Sequence, residues 1–314
     1  MRRVALVFLL ALIGAGAVAE AASPPPKRIA PWVKIEGVKV GGLNPYIAYR
    51  RVTKAYDRPV RFANGQERWA RAPAALGAVV DMDGAIAQAL DAKAGETVSL
   101  GVRLDPKRIH AYVASLDKRY REEAVDAQLV GLNGTTPNIT NEKTGREVKR
   151  GLMARAIASR LQSTVRRPLP LAFRELRPTR TRAGFGPVIV IQRGVNVLTL
   201  FDGSSTVRTF GVATGQAQYP TPAGTWSIVD KQRDPWWRPP DSEWAKGSEP
   251  IPPGPGNPLG TRWMGLSAAA VGIHGTPDAA SIGYSASHGC IRMRVPDAEW
   301  LFEHVDIGTP VVIV

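Results

Sequence analysis

This 314-residue chain carries one cysteine and four histidines. With no second thiol, an intramolecular disulfide is excluded, and with it any small disulfide-stapled fold. The common zinc signatures need several Cys or His at fixed spacings, and His274, His288, His304 and Cys290 match none of them. Acidic residues are also scarce, with 27 Asp+Glu against 41 Lys+Arg. The net charge of +14 favours anionic partners, and nucleic acid, anionic lipid and anionic cell-wall polymer all fit. No nucleic-acid-binding motif accompanies it. No apolar run reaches the ~20 residues that a membrane-spanning helix needs.

The remaining composition is that of a globular protein, 44% apolar and 22% charged. At about 150 residues per domain, the length suits two domains. The start of the chain has its own pattern. A basic Met1-Arg2-Arg3 precedes an apolar run from Val4 to Val18, followed by Ala17-Val18-Ala19 and Ala19-Glu20-Ala21. This is the layout of a secretory signal peptide over residues 1–22, and an uncleaved anchor is the competing reading. Residues 23–32, with three consecutive prolines, form a stiff linker.

Residues 33–176 read as an α+β domain. Val33–Val40 and Glu96–Leu104 alternate like strands, and helices are expected over Pro45–Ala55, Asp81–Ala94, Asp105–Tyr120 and Leu152–Gln162. Asn44 is the expected cap of the first, with Pro45 at its first position. The strand Leu169–Leu176 closes the region. Residues 177–186, rich in Pro, Gly and Arg, are expected to be a linker. From 187 to 314 the pattern changes to short strands, including Val188–Ile191, Asn196–Phe201, Thr206–Thr214, Thr225–Val229 and the tail Pro310–Val314. A mainly-β, sandwich-like domain is expected. Its one clear helix spans residues 297–305. Residues 234–263 form an insertion with four Trp and many Pro, too Pro-rich for regular structure and suited to a binding wall or a rigid surface loop.

The chemistry concentrates in Ile273-His274-Gly275-Thr276-Pro277 and Ser287-His288-Gly289-Cys290-Ile291-Arg292-Met293. A lone cysteine is either a small buried hydrophobe or a nucleophile. Two histidines close to it in sequence favour the nucleophile, because a thiol needs a nearby base to react near neutral pH. Backbone N–H groups on a tight turn around Cys290 are candidate oxyanion donors.

This segment closely resembles the catalytic signature of the L,D-transpeptidases of the YkuD type. The signature is a His-Gly pair, a variable stretch, then Ser-(His or Lys)-Gly-Cys and an Ile-Arg-Met-like run. Thr221-Pro222-Ala223-Gly224 and Asn257-Pro258-Leu259-Gly260 resemble two further family segments. The resemblance covers about residues 187–314. More loosely, residues 33–176 resemble the peptidoglycan-binding domain that often precedes this catalytic domain.

The resemblance implies that Cys290 attacks the third residue of a peptidoglycan stem tetrapeptide and that terminal D-Ala leaves. His274 would be the general base, oriented by the backbone carbonyl of Gly275. His288 would support the thiol. Gly289 and Cys290 would offer oxyanion N–H groups beside Ser287, and Arg292 would bind a substrate carboxylate. Transfer to an amine of a neighbouring stem gives a cross-link, and transfer to water gives an L,D-carboxypeptidase. A non-catalytic wall-binding protein is the remaining alternative. The implied partners are peptidoglycan stem peptides and anionic wall polymers, with no nucleic acid, metal or cofactor. The implied location is the cell wall or periplasm.

Overall fold

The computed structural model describes residues 27–314, so the expected signal peptide and the first part of the expected linker lie outside the described residues. The chain forms two compact units. Of the described residues, one comprises 27–119 together with Val148–Ala172, and the other comprises Tyr120–Glu147 and Phe173–Val314.

The first unit is α+β. Its helices are Pro45–Tyr56, Met82–Asp91, Pro106–Tyr120 and Arg150–Leu161. Local chemistry sets where they begin. The Asn44 side chain accepts the Ile47 N–H at 2.8 Å, and Pro45 occupies the position where a missing N–H costs nothing. Asp81 caps the second helix through the Gly84 N–H at 3.0 Å. The buried face of the first helix is Ala48, Val52 and Tyr56, at the i, i+4, i+8 spacing of a single stripe. The stretch Val33–Val40, expected as one strand, is instead a tight hairpin of Lys34–Ile35 with Val38–Lys39. Its turn residues Glu36 and Gly37 both have positive φ, as a two-residue hairpin turn requires. Leu169–Leu176 also divides. Leu169–Pro170 pairs with Val60–Asn64, and Phe173–Leu176 pairs with Gly145–Val148.

The second unit is built on one eight-stranded sheet. In spatial order its strands are Ser205–Gly211, Val197–Asp202, Pro187–Gln192, Pro310–Ile313, Gly224–Arg233, Arg262–Leu266, Gly272–Thr276 and Ile291–Arg294. The main core lies on one face, with Ile189, Leu198, Phe210, Met264, Ile273, Met293 and Val311 among its residues. Helix Val295–His304 covers it with Ala298, Leu301 and Phe302. Past Ser205–Gly211 the chain reaches the other end of the sheet. Ala213 exchanges both backbone hydrogen bonds with Arg292 at 2.9 Å, and Thr214–Gly215 pairs with Ser285–Ser287. The sheet is thereby wrapped, and the edge of the Ile291–Arg294 strand is covered.

Residues 127–139 and 173–186, placed before or at the boundary by the sequence pattern, cluster with this second unit. The reason is burial on both faces of strand Pro187–Gln192. Ile189 and Ile191 enter the main core, whereas Val188 and Val190 pack on the other side with Ala127, Ile139, Phe185 and Phe201. That second cover comes from the earlier segment. It explains why Val188–Ile191 is apolar without alternation.

Candidate active site

Strands Gly272–Thr276 and Ile291–Arg294 run parallel, in a register that pairs Ile273 with Ile291 and His274 with Arg292. This places Cys290, just before its strand, beside the start of the His274 strand. Both residues line a cavity of about 1320 Å³, together with Ser287, His288, Gly289 and Arg292.

His274 is buried, and its Nδ1 lies 2.6 Å from the Gly275 carbonyl oxygen. A carbonyl only accepts, so Nδ1 carries the proton and Nε2 presents a lone pair. Burial lowers the His274 pKa to about 4; the Gly275 bond opposes that shift, and the Arg292 charge adds to it. The Trp263 ring stacks on His274 with centroids 5.9 Å apart. It also lies across Gly272, where any Cβ would fall inside the indole. Glycine at 272 is therefore what lets Trp263 roof the histidine.

The Cys290 thiol is pushed up by burial, while the Gly272 backbone and the Arg292 charge pull it down. Its Sγ lies 3.8 Å from the Ala270 carbonyl oxygen. Ala270 has φ of 58°, an uncommon conformation for a residue with a Cβ. Burial thus favours the uncharged form of both the thiol and the imidazole.

The turn that carries Cys290 is stapled by two hydroxyls. Ser287 Oγ donates to the Cys290 carbonyl at 2.5 Å and accepts the Gly289 N–H at 3.1 Å. Thr221 Oγ1 donates to the Gly289 carbonyl at 2.9 Å and accepts the Gly215 N–H at 2.8 Å. Gly289 has φ of 109°, which fits glycine alone. Two expectations change here. The Gly289 N–H is engaged by Ser287, so of the expected oxyanion pair only the Cys290 N–H is left to point at substrate. The Ser287 hydroxyl is likewise committed to shaping the turn.

His288 stacks on Trp244 at 4.2 Å and meets Tyr219 at 5.0 Å. Its surroundings are these two rings, and its pKa is lowered by burial and by Arg292. Arg292 lies 3.7 Å from Asp278 and lines the cavity, within electrostatic reach of His274, His288 and Cys290.

The Trp-rich insertion forms the far wall of the cavity through Trp236, Trp237 and Trp244. It is less irregular than its proline content suggests, with a short helical turn at Glu243–Ala245 and a bridge between Trp237 and Ile251. Asn257 ties it off. Its buried amide nitrogen donates to the carbonyls of Pro235 at 2.9 Å and Pro252 at 3.1 Å, with that of Ile251 also near at 3.3 Å, and its Oδ1 accepts the Leu259 N–H at 2.8 Å. Gly260 then passes over Gly275, where a Cβ would press on the backbone at 3.0 Å.

Residues 186–313 match the family model for the L,D-transpeptidase catalytic domain, named YkuD. The Bacillus subtilis protein named "Putative L,D-transpeptidase YqjB" is 34% identical over 132 residues, which cover 40% of this chain and 70% of that one. The chain belongs to the L,D-transpeptidase family. Residues 69–169 of this L,D-transpeptidase match a second model, described as "Putative peptidoglycan binding domain". "Probable L,D-transpeptidase ErfK/SrfK" of Escherichia coli is 40% identical over 123 residues, covering 35% of this chain and 38% of that one. The chain thus spans little more than a third of that relative's length. A solved L,D-transpeptidase from Mycobacterium smegmatis overlays 69% of this chain and 89% of its own, at 14% identity and a TM-score of 0.38, too loose an overlay to carry an argument.

Of the residues that form this site, Thr221 and Asn257 stood in recognised motifs without a role. Trp263 stood among the four Trp of the insertion with no link to His274, and Tyr219 and Ala270 had no signal of their own, since their place in the site comes from contacts across the fold.

Proposed function

We propose that this family member is an exported peptidoglycan L,D-transpeptidase. Its donor is a stem tetrapeptide and its acceptor an amine of a neighbouring stem. The observation that carries the reading is the His274 Nδ1 bond to the Gly275 carbonyl, in the cavity that also holds Cys290. It leaves Nε2 as the basic atom. In the first step Nε2 takes the thiol proton as Sγ attacks the carbonyl of the third stem residue. The Cys290 N–H stabilises the oxyanion. His274 then returns the proton to the departing D-Ala amine, and a thioester remains. In the second step the acceptor amine attacks the thioester, loses a proton to His274, and the thiol is restored. Arg292 is suited to hold a donor carboxylate, having one distant partner at 3.7 Å.

Support for export comes from the signal-like pattern of residues 1–22 and from the wall-directed chemistry. No helix among the described residues is long and apolar enough to cross a membrane.

Mass spectrometry of the protein incubated with disaccharide-tetrapeptide tests the reading, with Cys290→Ala as control. A cross-linked dimer lost in the control is expected. Tripeptide alone would reassign the protein as a carboxypeptidase, and no product from either would favour a wall-binding role. Trp236, Trp237 and Trp244 supply apolar walls that exclude water and favour the amine over hydrolysis. Shortening residues 234–263 should then raise the share of tripeptide. An unchanged ratio of dimer to tripeptide would remove the insertion from that role.

A further inference from the structure

The excess positive charge is confined to one of the two units. Residues 27–119 and 148–172 hold 23 Lys+Arg against 9 Asp+Glu, a balance of +14. Residues 120–147 and 173–314 hold 16 against 17, a balance of −1. The catalytic unit is therefore electrically neutral, and attraction to a polyanion resides in the first unit.

Within that unit one surface breaks three local rules at once. Trp32 is 81% exposed and sits at φ of 64°, a left-handed conformation that a bulky side chain rarely adopts. Lys34 and Lys39 stand directly opposite each other on the hairpin, a like-charge pair that disfavours the pairing. Helix Pro45–Tyr56 exposes Tyr46 by 65% and Tyr49 by 40%, beside Arg50, Arg51 and Lys54. These features are continuous in the backbone. The Ile29 N–H bonds to the Leu43 carbonyl, the Gly42 N–H to that of Ile29, and the Gly41 N–H to that of Val33. The Trp32 loop is thereby laced to the segment that enters the helix. Gly41 is obligatory there, since a Cβ would strike the Ala30–Trp32 backbone. Arg51 reaches back to the Lys39 carbonyl at 3.3 Å, and Arg50 lies over the Tyr46 ring at 5.8 Å. Among the described residues, no carboxylate pairs with Lys34, Lys39, Arg50, Arg51 or Lys54.

We propose that the Trp32 loop, the Lys34–Lys39 hairpin and the outer face of helix Pro45–Tyr56 form a docking surface for a glycan strand whose peptide branches carry carboxylates. Flat aromatic faces offer apolar contact to sugar rings while their edges stay wet, and cations interleaved with them meet acidic substituents. Exposed cations with no carboxylate partner among the described residues, beside exposed aromatics, match sugar rings interleaved with negative charge. A bilayer offers charge in a plane, without separate faces for Trp32 and the tyrosines. The inference rests on the proposed function only for which glycan this is, the strand of peptidoglycan. It assigns to this surface the task of holding the polymer while the neutral unit acts on the stems.

The test measures retention of the full-length protein on isolated peptidoglycan sacculi stripped of other polymers, as a function of salt. Turnover of soluble disaccharide-tetrapeptide is followed in parallel. Trp32→Ala with Tyr46→Ala, and separately Arg50→Glu with Lys54→Glu, should each weaken retention about tenfold or more and leave soluble turnover at the wild-type level. Retention by the wild type should fall as salt is raised, because exposed charges are screened. The charge-reversal pair alters exposed side chains only, so it decides the matter even if Trp32→Ala does not fold. Wild-type retention by the charge-reversed protein overturns the proposal. So does equal retention on a neutral glycan, or preferential capture by anionic phospholipid vesicles. No soluble turnover by the wild type, together with salt-sensitive retention that both variants lose, would instead sink the catalytic reading and leave the docking surface standing.

Discussion

At Cys290 and His274 burial acts on both partners toward the uncharged form, raising the thiol and lowering the imidazole to about 4. In the proposed mechanism the pair therefore starts uncharged, and proton transfer accompanies attack. The sign of the pH dependence follows. His274 must be unprotonated to accept the thiol proton, and acidification disables it only as pH falls through its own lowered pKa. The acid limb of kcat/KM should lie near 4, well below an ordinary histidine's 6.5. A pH–rate profile on soluble donor measures it, and a limb near the ordinary value would contradict the buried neutral base. Both residues were legible in the sequence because their chemistry sits in short contiguous motifs. The roof over His274 was not, since Trp263 reaches it through strand register and needs a glycine at 272 to do so.

At the scale of elements, the turn Ser287–Cys290 owes its shape to a partner far away in sequence. Thr221 bridges the Gly289 carbonyl and the Gly215 N–H from inside the protein. Removing its hydroxyl leaves buried backbone groups unpaired, at a cost of about 1–3 kcal/mol. Thr221→Ala should lower the melting temperature and reduce kcat about tenfold, since a small displacement of a nucleophile is costly. Thr221→Ser, which keeps the hydroxyl, should recover most of both. If both variants behaved alike in thermal melts and turnover, the staple would lie elsewhere. The helices were legible from their caps, as at Asn44-Pro45 and Asp81. Several strands were not. Gly272–Thr276 and Ile291–Arg294 carry His, Gly and Arg at positions that ordinary strand patterning leaves to apolar or β-branched residues, because the site is built on them.

For the whole molecule, the last strand has a position that its place in the chain does not suggest. Pro310–Ile313 lies inside the sheet, parallel to Pro187–Gln192 and antiparallel to Gly224–Arg233. Val311 and Ile313 are in the main core. Deleting residues 310–314 would part the sheet in the middle and expose both neighbouring strands. The truncated chain should lose cooperative unfolding by circular dichroism and aggregate, whereas loss of an edge strand would be tolerated. The wrapping of the sheet is equally a whole-molecule property. It depends on Ala213 meeting Arg292, and it brings Tyr219 and Thr221 to the Cys290 turn.

The sequence by itself determined the family, the motif segments that hold Cys290 and His274, the α+β and mainly-β halves, and the basic character of the chain. These rest on local patterns: a motif, a cap, a periodicity, a count of charges. Only the tertiary structure decided that residues 127–139 cover the catalytic sheet, that Ser287 and Gly289 bond to each other, that the tail is central, and that the whole excess charge lies in one unit. Each of these is a contact or a placement between segments distant along the chain. Local propensity carries no information about which distant partner will satisfy a buried backbone group or cover an apolar face, and the packed core settles both together.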